Sequence, residues 1–195
     1  MVSKKQSKLH HIYDAALKTF ARFGYKKATV EDIAAAAGMT KGNLYLYVKD
    51  KRDLYEKSVA HGLLKWQGRV REEVSREEDV EKQFLILGAK AYEYLAEDDS
   101  LRTILINDPS IFPLSPSEDR FEHINNESIS MLKSVLKKGI AEKRFGEIDV
   151  DYTAQFLFSI YVMFIIKTYV KSEGSSTGRM FQEGLQIIMR GLLKR

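Results

Sequence analysis

Residues 29–48, TVEDIAAAAGMTKGNLYLYV, contain two helix-start signals eleven residues apart, with a glycine between them. Thr29 and Asp32 have the spacing of a capping box, and Thr40 is a suitable cap for a second helix. Gly38 supplies the left-handed conformation that a short turn between helices requires. The segment therefore predicts a helix-turn-helix, in which the N-terminal end of the second helix faces outward, where such motifs contact DNA.

The apolar residues of this segment predict which side of each helix is buried. Ile33, Ala34 and Ala37 form one narrow stripe with small residues for close packing. Leu44 and Val48 are four residues apart, so they face inward from the second helix. The outward side of that helix then carries Lys41, Gly42, Asn43 and Tyr47.

This segment and its flanks resemble the TetR family of bacterial transcriptional regulators. The resemblance covers residues 8–58, under a third of the chain, and is specific. Val48 departs from the pattern because the family usually has an aromatic residue there, most often phenylalanine. The matching blocks are Asp14-Ala15-Ala16-Leu17, Phe20-Ala21, Phe23-Gly24-Tyr25, Thr29-Val30, Ile33-Ala34, Ala37 to Tyr45, and Lys51-Arg52-Asp53-Leu54.

The distribution of charge agrees with a polyanionic partner for the N-terminal part. Residues 1–58 hold 12 Lys and Arg against 6 Asp and Glu, whereas the remaining residues hold 19 against 21. The overall net charge of +4 conceals this difference. A basic face is often only a solvated surface, but its coincidence with a helix-turn-helix indicates the electrostatic footprint of a nucleic acid.

The rest of the chain predicts an all-α protein of about nine helices in two domains. Three prolines in 195 residues favour long helices, and no segment alternates at period two. We expect a helix-turn-helix domain over residues 5–65 and an effector-binding and dimerisation domain over residues 66–195. The expected helices outside residues 29–48 are 5–23, 50–73, 79–95, 101–106, 118–144, 151–171 and 178–193, with an irregular segment at 107–117.

The candidate DNA contacts follow from residue chemistry and from the resemblance. Lys41 is suited to binding a phosphate or a guanine edge. Asn43 could pair with adenine, or it could be an ordinary polar surface residue. Gly42 is a poor helix former, which indicates close approach of the backbone to DNA. By analogy with the family, Tyr45 contacts phosphate and Tyr47 lies near DNA. The full candidate set is Thr29, Thr40, Lys41, Gly42, Asn43, Tyr45, Tyr47 and Lys51, with Thr29 and Lys51 as phosphate clamps.

Residues 154–166 form a run of thirteen residues without a charge. A membrane-spanning helix needs about 20 apolar residues, so this run predicts a helix buried in protein. Burial is possible within one chain or in a dimer, and the resemblance implies a two-fold four-helix bundle built from the last two helices of each chain. The expected interface residues are Leu157, Ile160, Phe164, Phe181, Leu185, Ile188 and Leu192.

The resemblance also implies a small-molecule effector in the larger domain. Core packing is the alternative role for every aromatic candidate. The segment 107–117 is either the mouth of the pocket or a plain surface loop. The candidate lining residues are Trp66, Tyr92, Phe112, Phe121, Phe158 and Tyr161, with Asn107, His123 and Asn126 as polar contacts.

No catalytic constellation accompanies these features. The chain has no cysteine, no glycine-rich phosphate loop and no Gly-x-Ser-x-Gly motif, and its four histidines lack ligand spacing. We therefore expect a cytoplasmic regulator without enzymatic activity, cofactor or metal, and without a membrane partner. Its expected partners are operator DNA, a second copy of the chain and an unidentified effector. A structural or constitutive DNA-binding protein without a ligand is the alternative.

Overall fold

The structure, a computed structural model, describes residues 4–112, 119–170 and 175–194. The described residues form nine α-helices and no β-strand, as the sequence predicted. A 3₁₀ turn, Pro109–Ile111, follows α6, and a π-helical turn, Ile166–Val170, continues α8. The helices are α1 Lys4–Lys27, α2 Val30–Ala36, α3 Lys41–Leu44, α4 Lys51–Arg76, α5 Val80–Glu97, α6 Asp99–Asn107, α7 Glu122–Ala141, α8 Val150–Ile165 and α9 Ser175–Leu192.

The first unit comprises the described residues up to Lys65 together with Asp98–Asp108. In it, α1 packs against α2 and α6, and α2 packs against α3. The sequence-based boundary had left α6 in the second domain. That assignment needs correction, because Leu101 and Leu105 of α6 are buried in the first unit.

Gly62 explains how α6 fits into the first unit. A Cβ atom at Gly62 would lie 3.1 Å from Leu17 Cδ2 and 3.2 Å from Leu101 Cδ1. The missing side chain therefore lets leucines of α1 and α6 meet on the surface of α4. This packing pairs residues far apart in sequence, which helical periodicity does not reveal.

The second unit comprises Trp66–Glu97 and the described residues from Pro109 onward. Its core is formed by the end of α4 and by α5, α7, α8 and α9. Phe84, Leu136 and Phe145 are among its fully enclosed large side chains. The core is entirely helical apart from an isolated β-bridge between Phe145 and Leu193.

Two helix boundaries differ from the sequence prediction for conformational reasons. Gly24 does interrupt α1, with φ 74° and ψ 159°, but helical structure resumes as far as Lys27. The predicted seventh helix extended to residue 144, whereas α7 ends at Ala141. The chain reverses there because Lys143 takes a left-handed conformation, φ 57°, at a position without a glycine signal. The predicted start of that helix, residue 118, and residues 113–117 of the expected loop lie outside the described residues.

Candidate nucleic-acid interface

The start of α2 is held by the predicted capping box. Thr29 Oγ1 accepts a hydrogen bond from the Asp32 amide at 3.1 Å, and the Thr29 amide donates to the Asp32 carboxylate at 3.1 Å. The Thr29 hydroxyl also donates to that carboxylate at 2.6 Å. These bonds hold the pKa of Asp32 below its ordinary value. The amide and the hydroxyl of Thr29 thus both donate within the cap. The predicted contact of Thr29 with a phosphate remains a prediction.

The turn between α2 and α3 is built on Gly38, as the sequence indicated. Gly38 has φ 65°, a left-handed conformation. Its amide donates to the Ala35 carbonyl at 3.0 Å, and the Met39 amide donates to the Ala34 carbonyl at 2.9 Å. This pair of bonds is the Schellman arrangement, which ends α2 at Ala36 and redirects the chain into α3 at Lys41.

The second helix of the motif is short and is anchored from its buried side. Thr40 caps it, because its Oγ1 accepts the Asn43 amide at 3.2 Å. Leu44 is fully buried and Val48 nearly so, as predicted. After Leu44 the backbone forms a tighter turn, because the Leu46 amide donates to the carbonyl three residues back, that of Asn43, at 3.3 Å. We call the segment Thr40–Tyr47 the recognition segment.

The outward side of the recognition segment carries the predicted DNA contacts. Thr40, Lys41, Gly42, Asn43 and Tyr45 are all exposed. A Cβ atom at Gly42 would meet nothing within 4 Å, so no neighbouring group of the protein blocks approach to this backbone. Such a surface is accessible to the edge of a duplex.

Lys41 is the basic side chain at the start of this surface. Its ammonium pairs with Glu31 of α2, and the hydrogen bond from Lys41 lowers the pKa of the Glu31 carboxyl. Both side chains are exposed, so the pair contributes little to stability. A phosphate oxygen that binds Lys41 therefore competes with Glu31 for the same ammonium.

Two further lysines flank the recognition segment, each above an aromatic ring. Lys8 Nζ lies 5.4 Å from the ring centre of Tyr47, which is half-buried. Lys51 Nζ lies 4.9 Å from the ring centre of Tyr25 and donates to the Lys26 carbonyl at 3.3 Å. These contacts orient the two ammonium groups beside the exposed surface.

An open groove of about 490 Å³ runs along the start of the recognition segment. It is bounded by α1 on one side and by the turn between α2 and α3 on the other. A second groove, of about 460 Å³, lies between α1 and α2. The first groove is lined by Lys8, His11, Ala35, Ala37, Gly38, Met39, Thr40 and Asn43.

Several of the aromatic effector candidates meet in the second unit. The ring centres of Trp66 and Tyr161 are 6.3 Å apart, and those of Tyr92 and Tyr161 are 6.5 Å apart. Phe181 stacks on Tyr92 at 4.9 Å and also contacts Phe164. We call Trp66, Tyr92, Tyr161, Phe164 and Phe181 the aromatic cluster.

The hydroxyl groups of this cluster differ in their hydrogen bonding. Tyr92 Oη donates to the Phe164 carbonyl at 2.6 Å, and burial raises the pKa of Tyr92 to about 12. Trp66 Nε1 donates to the Ala91 carbonyl at 2.8 Å. Tyr161 Oη is buried without a hydrogen-bond partner among the described residues, and burial raises its pKa well above the ordinary value. An orphaned buried hydroxyl is costly unless something else satisfies it.

Other effector candidates do not join this cluster. Asn107 is exposed and belongs to the first unit, so its assignment to a pocket of the second domain needs correction. His123 and Asn126 are exposed on α7, on the side facing away from buried Ile124. Phe112 and Phe121 are buried but make no ring contact with the cluster, and Phe158 is half-buried.

Four of the seven predicted dimer residues need correction. Leu157, Phe181, Leu185 and Leu192 are buried within their own chain. These four residues pack into the second unit, because amphipathic periodicity does not distinguish a chain's own core from a partner's. Ile160, Phe164 and Ile188 are half-buried, and their place in a dimer contact remains a prediction.

The exposed apolar face of α8 and α9 lies on other residues. Tyr152, Phe156 and Met163 of α8 are 76%, 59% and 52% exposed, at spacings of four and seven residues. Met180 and Ile187 of α9 are 54% and 68% exposed, seven residues apart. We call these five residues the α8/α9 face. Within the described residues, Val150–Tyr169 is also long and apolar enough to span a membrane by length and composition alone.

Comparison with known proteins agrees with this architecture. The family described as "Bacterial regulatory proteins, tetR family" matches residues 12–57. The fatty acid metabolism regulator protein of Bacillus subtilis is 25% identical over 80% of this chain and 81% of its own length. The transcriptional repressor KstR2 of Rhodococcus jostii is 27% identical over 97% of this chain and 93% of its own.

A solved structure extends the similarity to the whole fold. The crystal structure of FadR from Bacillus subtilis in complex with stearoyl-CoA has a TM-score of 0.75 and 21% identity. The match covers 93% of this chain and 98% of that one. With a helix-turn-helix that matches the TetR family over residues 12–57, an all-helical second unit and full-length repressor relatives, the chain is a DNA-binding transcriptional regulator similar to TetR-family repressors.

Proposed function

We propose that this protein is a homodimeric repressor that binds a palindromic operator and is released from it by a long-chain acyl-CoA. One observation supports the DNA-binding part of this proposal. The recognition segment is exposed, and the buried side chains of Leu44 and Val48 anchor it to the first unit. In such a dimer the two recognition segments enter successive major grooves, about 34–36 Å apart. Bound there, the protein blocks transcription.

The α8/α9 face supports the proposed homodimer. Its five side chains are large, apolar and more than half exposed, and they recur along both helices at helical spacing. Two copies related by a two-fold axis would bury this face against itself, since an isologous contact uses the same patch twice. The same contact would cover the apolar α8 surface, so we propose a protein partner for it and no membrane.

The aromatic cluster supports an apolar effector. Its rings offer a large apolar contact area, and the orphaned Tyr161 hydroxyl offers a neutral hydrogen-bond donor among them. An acyl-CoA has a matching chemistry, because a long alkyl chain carries a thioester carbonyl that accepts hydrogen bonds. Regulators of fatty acid metabolism, one of them solved with stearoyl-CoA, are among the relatives.

Helix α4 is our proposed route from effector to DNA. It is continuous from Lys51 to Arg76 and contributes residues to both units. Release requires that the effector bind more tightly to a state in which the spacing of the recognition segments no longer fits the operator. We propose that displacement of α4 separates these two states.

The effector is tested by thermal unfolding of the full chain with stearoyl-CoA, free CoA, stearate and a ketosteroid, each in separate samples. We expect a rise in melting temperature with stearoyl-CoA only, and release of a bound operator in gel shifts by the same compound. Tyr161→Phe should weaken this response because the hydroxyl donor is lost, and Tyr152→Phe serves as an exposed control. Stabilisation by the ketosteroid alone would reassign the effector class. No response to any compound would favour a constitutive DNA-binding protein.

The DNA surface is tested by the double variant Lys41→Ala and Tyr45→Ala. Removing one phosphate-binding ammonium and an adjacent hydroxyl should weaken operator binding about 10- to 100-fold and reduce its salt dependence. The measurement is a gel shift at several salt concentrations. Lys82→Ala, which removes an exposed lysine of α5, is the matched control. Unchanged affinity of the double variant would refute the assignment of this surface.

A further inference from the structure

Leu46 has the largest exposed fraction of any large hydrophobic side chain in the described part of the chain, 79%. Tyr152 and Ile187, the next most exposed, belong to the α8/α9 face and have a proposed cover. Leu46 lies in the first unit, on the recognition segment. Because Leu46 lies on the surface proposed to contact DNA, a bound duplex would cover this apolar side chain and remove its surface from water.

The direction of the Leu46 side chain follows from the anchors on either side of it. Leu44 and Val48 are 0% and 4% exposed and fix the inner side of the segment. Leu46 lies midway between them in sequence, and residues two apart on a helical turn face opposite ways. Its amide donates to the Asn43 carbonyl, which keeps it on that turn.

The neighbours of Leu46 on this surface leave room for close contact. Gly42 lies four residues before it, has no side chain, and has open space at its Cβ position. Lys41 and Tyr45 are exposed on the same segment and supply groups for phosphate. Leu46 is therefore exposed on the same segment as a glycine with open space around it and two side chains suited to binding the DNA backbone.

We propose that Leu46 reads thymine by packing against its 5-methyl group in the major groove. Leucine has no hydrogen-bond donor or acceptor, so it cannot read the polar pattern of a base edge. The thymine methyl is the one apolar group that the four base pairs present in the major groove. Each half-site of the operator is then expected to contain a thymine opposite Leu46, and the dimer reads it twice.

This inference rests on the proposed operator binding, and the experiment separates the two. A randomised duplex library is first selected with the full-length protein. Failure to enrich any palindromic sequence would contradict operator binding itself. With a selected operator in hand, each thymine is replaced in turn by deoxyuridine, which removes only the 5-methyl group, and affinity is measured by fluorescence anisotropy.

For the unaltered protein, one symmetric thymine position should be sensitive to this replacement. Loss of one buried methyl contact corresponds to about fourfold in affinity for one half-site and about 15-fold for both. For Leu46→Ala the same replacement should have no effect, because the packing partner is gone. Sensitivity that persists in Leu46→Ala, or its absence at every thymine in the unaltered protein, would overturn the proposal.

Leu64→Ala is the matched control, since Leu64 is an exposed leucine of α4 in the same unit. It should keep the full response to deoxyuridine. Leu46→Ala should also keep the melting temperature of the unaltered protein, because a side chain 79% exposed contributes little to folding. A large loss of stability in Leu46→Ala would show a packing role and count against a direct contact with DNA.

Discussion

Replacing Phe156 and Ile187 together by glutamate is expected to convert the protein to a monomer and to weaken operator binding at least 100-fold. Both side chains belong to the α8/α9 face, one on each helix, and are more than half exposed in the single chain. In a two-fold dimer each substitution occurs twice, so four carboxylates would enter one apolar contact. Burying an unpaired charge costs several kcal/mol. The summed cost of four such charges is expected to exceed the net binding free energy of an interface of ordinary size.

The measurement is the molar mass in solution by light scattering, followed by operator binding. We expect the variant to bind a full palindrome no better than a single half-site, because the two recognition segments are no longer linked. Leu64→Glu places the same charge on an exposed leucine outside the α8/α9 face and should remain dimeric. A dimeric Phe156→Glu, Ile187→Glu variant would refute this interface, whatever its DNA affinity.

The helix-turn-helix was predictable because its determinants are local. The Thr29 and Asp32 cap, the left-handed Gly38 and the buried Leu44 each depend on residues within four positions, and all appear as expected. Propensity and capping act at this range, so one sequence is enough to identify them. The all-helical fold followed from the same kind of signal.

The proposed dimer face was not predictable in the same way. The stripe through Phe181 and Leu185 was correctly recognised as apolar, but it packs within the second unit. Met180 and Ile187 lie on an exposed side of the same helix, and the sequence gives no sign of which side meets which partner. Which side of α9 is buried depends on tertiary contacts between helices distant in the chain, and hydrophobic periodicity does not encode these contacts.

One proposed contact, Leu46, was not among the predicted DNA contacts. A leucine in a helix more often belongs to the core than to a binding surface. Two residues from buried Leu44, Leu46 was predictably on the outer side, so spacing alone was sufficient to find it. The missing partner of the Tyr161 hydroxyl, in contrast, emerges only when helices α5, α8 and α9 are placed together.

Gly139→Ala is expected to destabilise the protein strongly, although alanine is the better helix former. Gly139 lies in α7, and a Cβ atom there would fall 2.1 Å from Cδ2 and 2.4 Å from Cε2 of Phe145. Carbon atoms in contact prefer separations of about 3.5–4.0 Å, so either the ring or the helix must move. The sequence showed only a glycine in a helix and a phenylalanine after it.

The Phe145 ring has little freedom to move. It is 2% exposed and packs edge-on against Phe84, with ring centres 6.3 Å apart. Its amide donates to the Gly139 carbonyl at 3.0 Å, and the next amide, of Gly146, donates to the Leu192 carbonyl at 2.9 Å. The backbone on both sides of the ring is thus tied to α7 and α9. We expect a loss of about 3 kcal/mol or more, at the upper end of overpacking effects.

Gly68→Ala is the matched control, because Gly68 lies within α4 and its Cβ position meets nothing within 4 Å. There the same change should stabilise by about 1 kcal/mol, through helix propensity alone. Urea unfolding of the two variants should therefore give shifts of opposite sign. In a Phe145→Ala background the cost of Gly139→Ala should largely vanish, since the clashing ring is gone. An equal cost in both backgrounds would mean that the tight Gly139–Phe145 contact is not what this glycine provides.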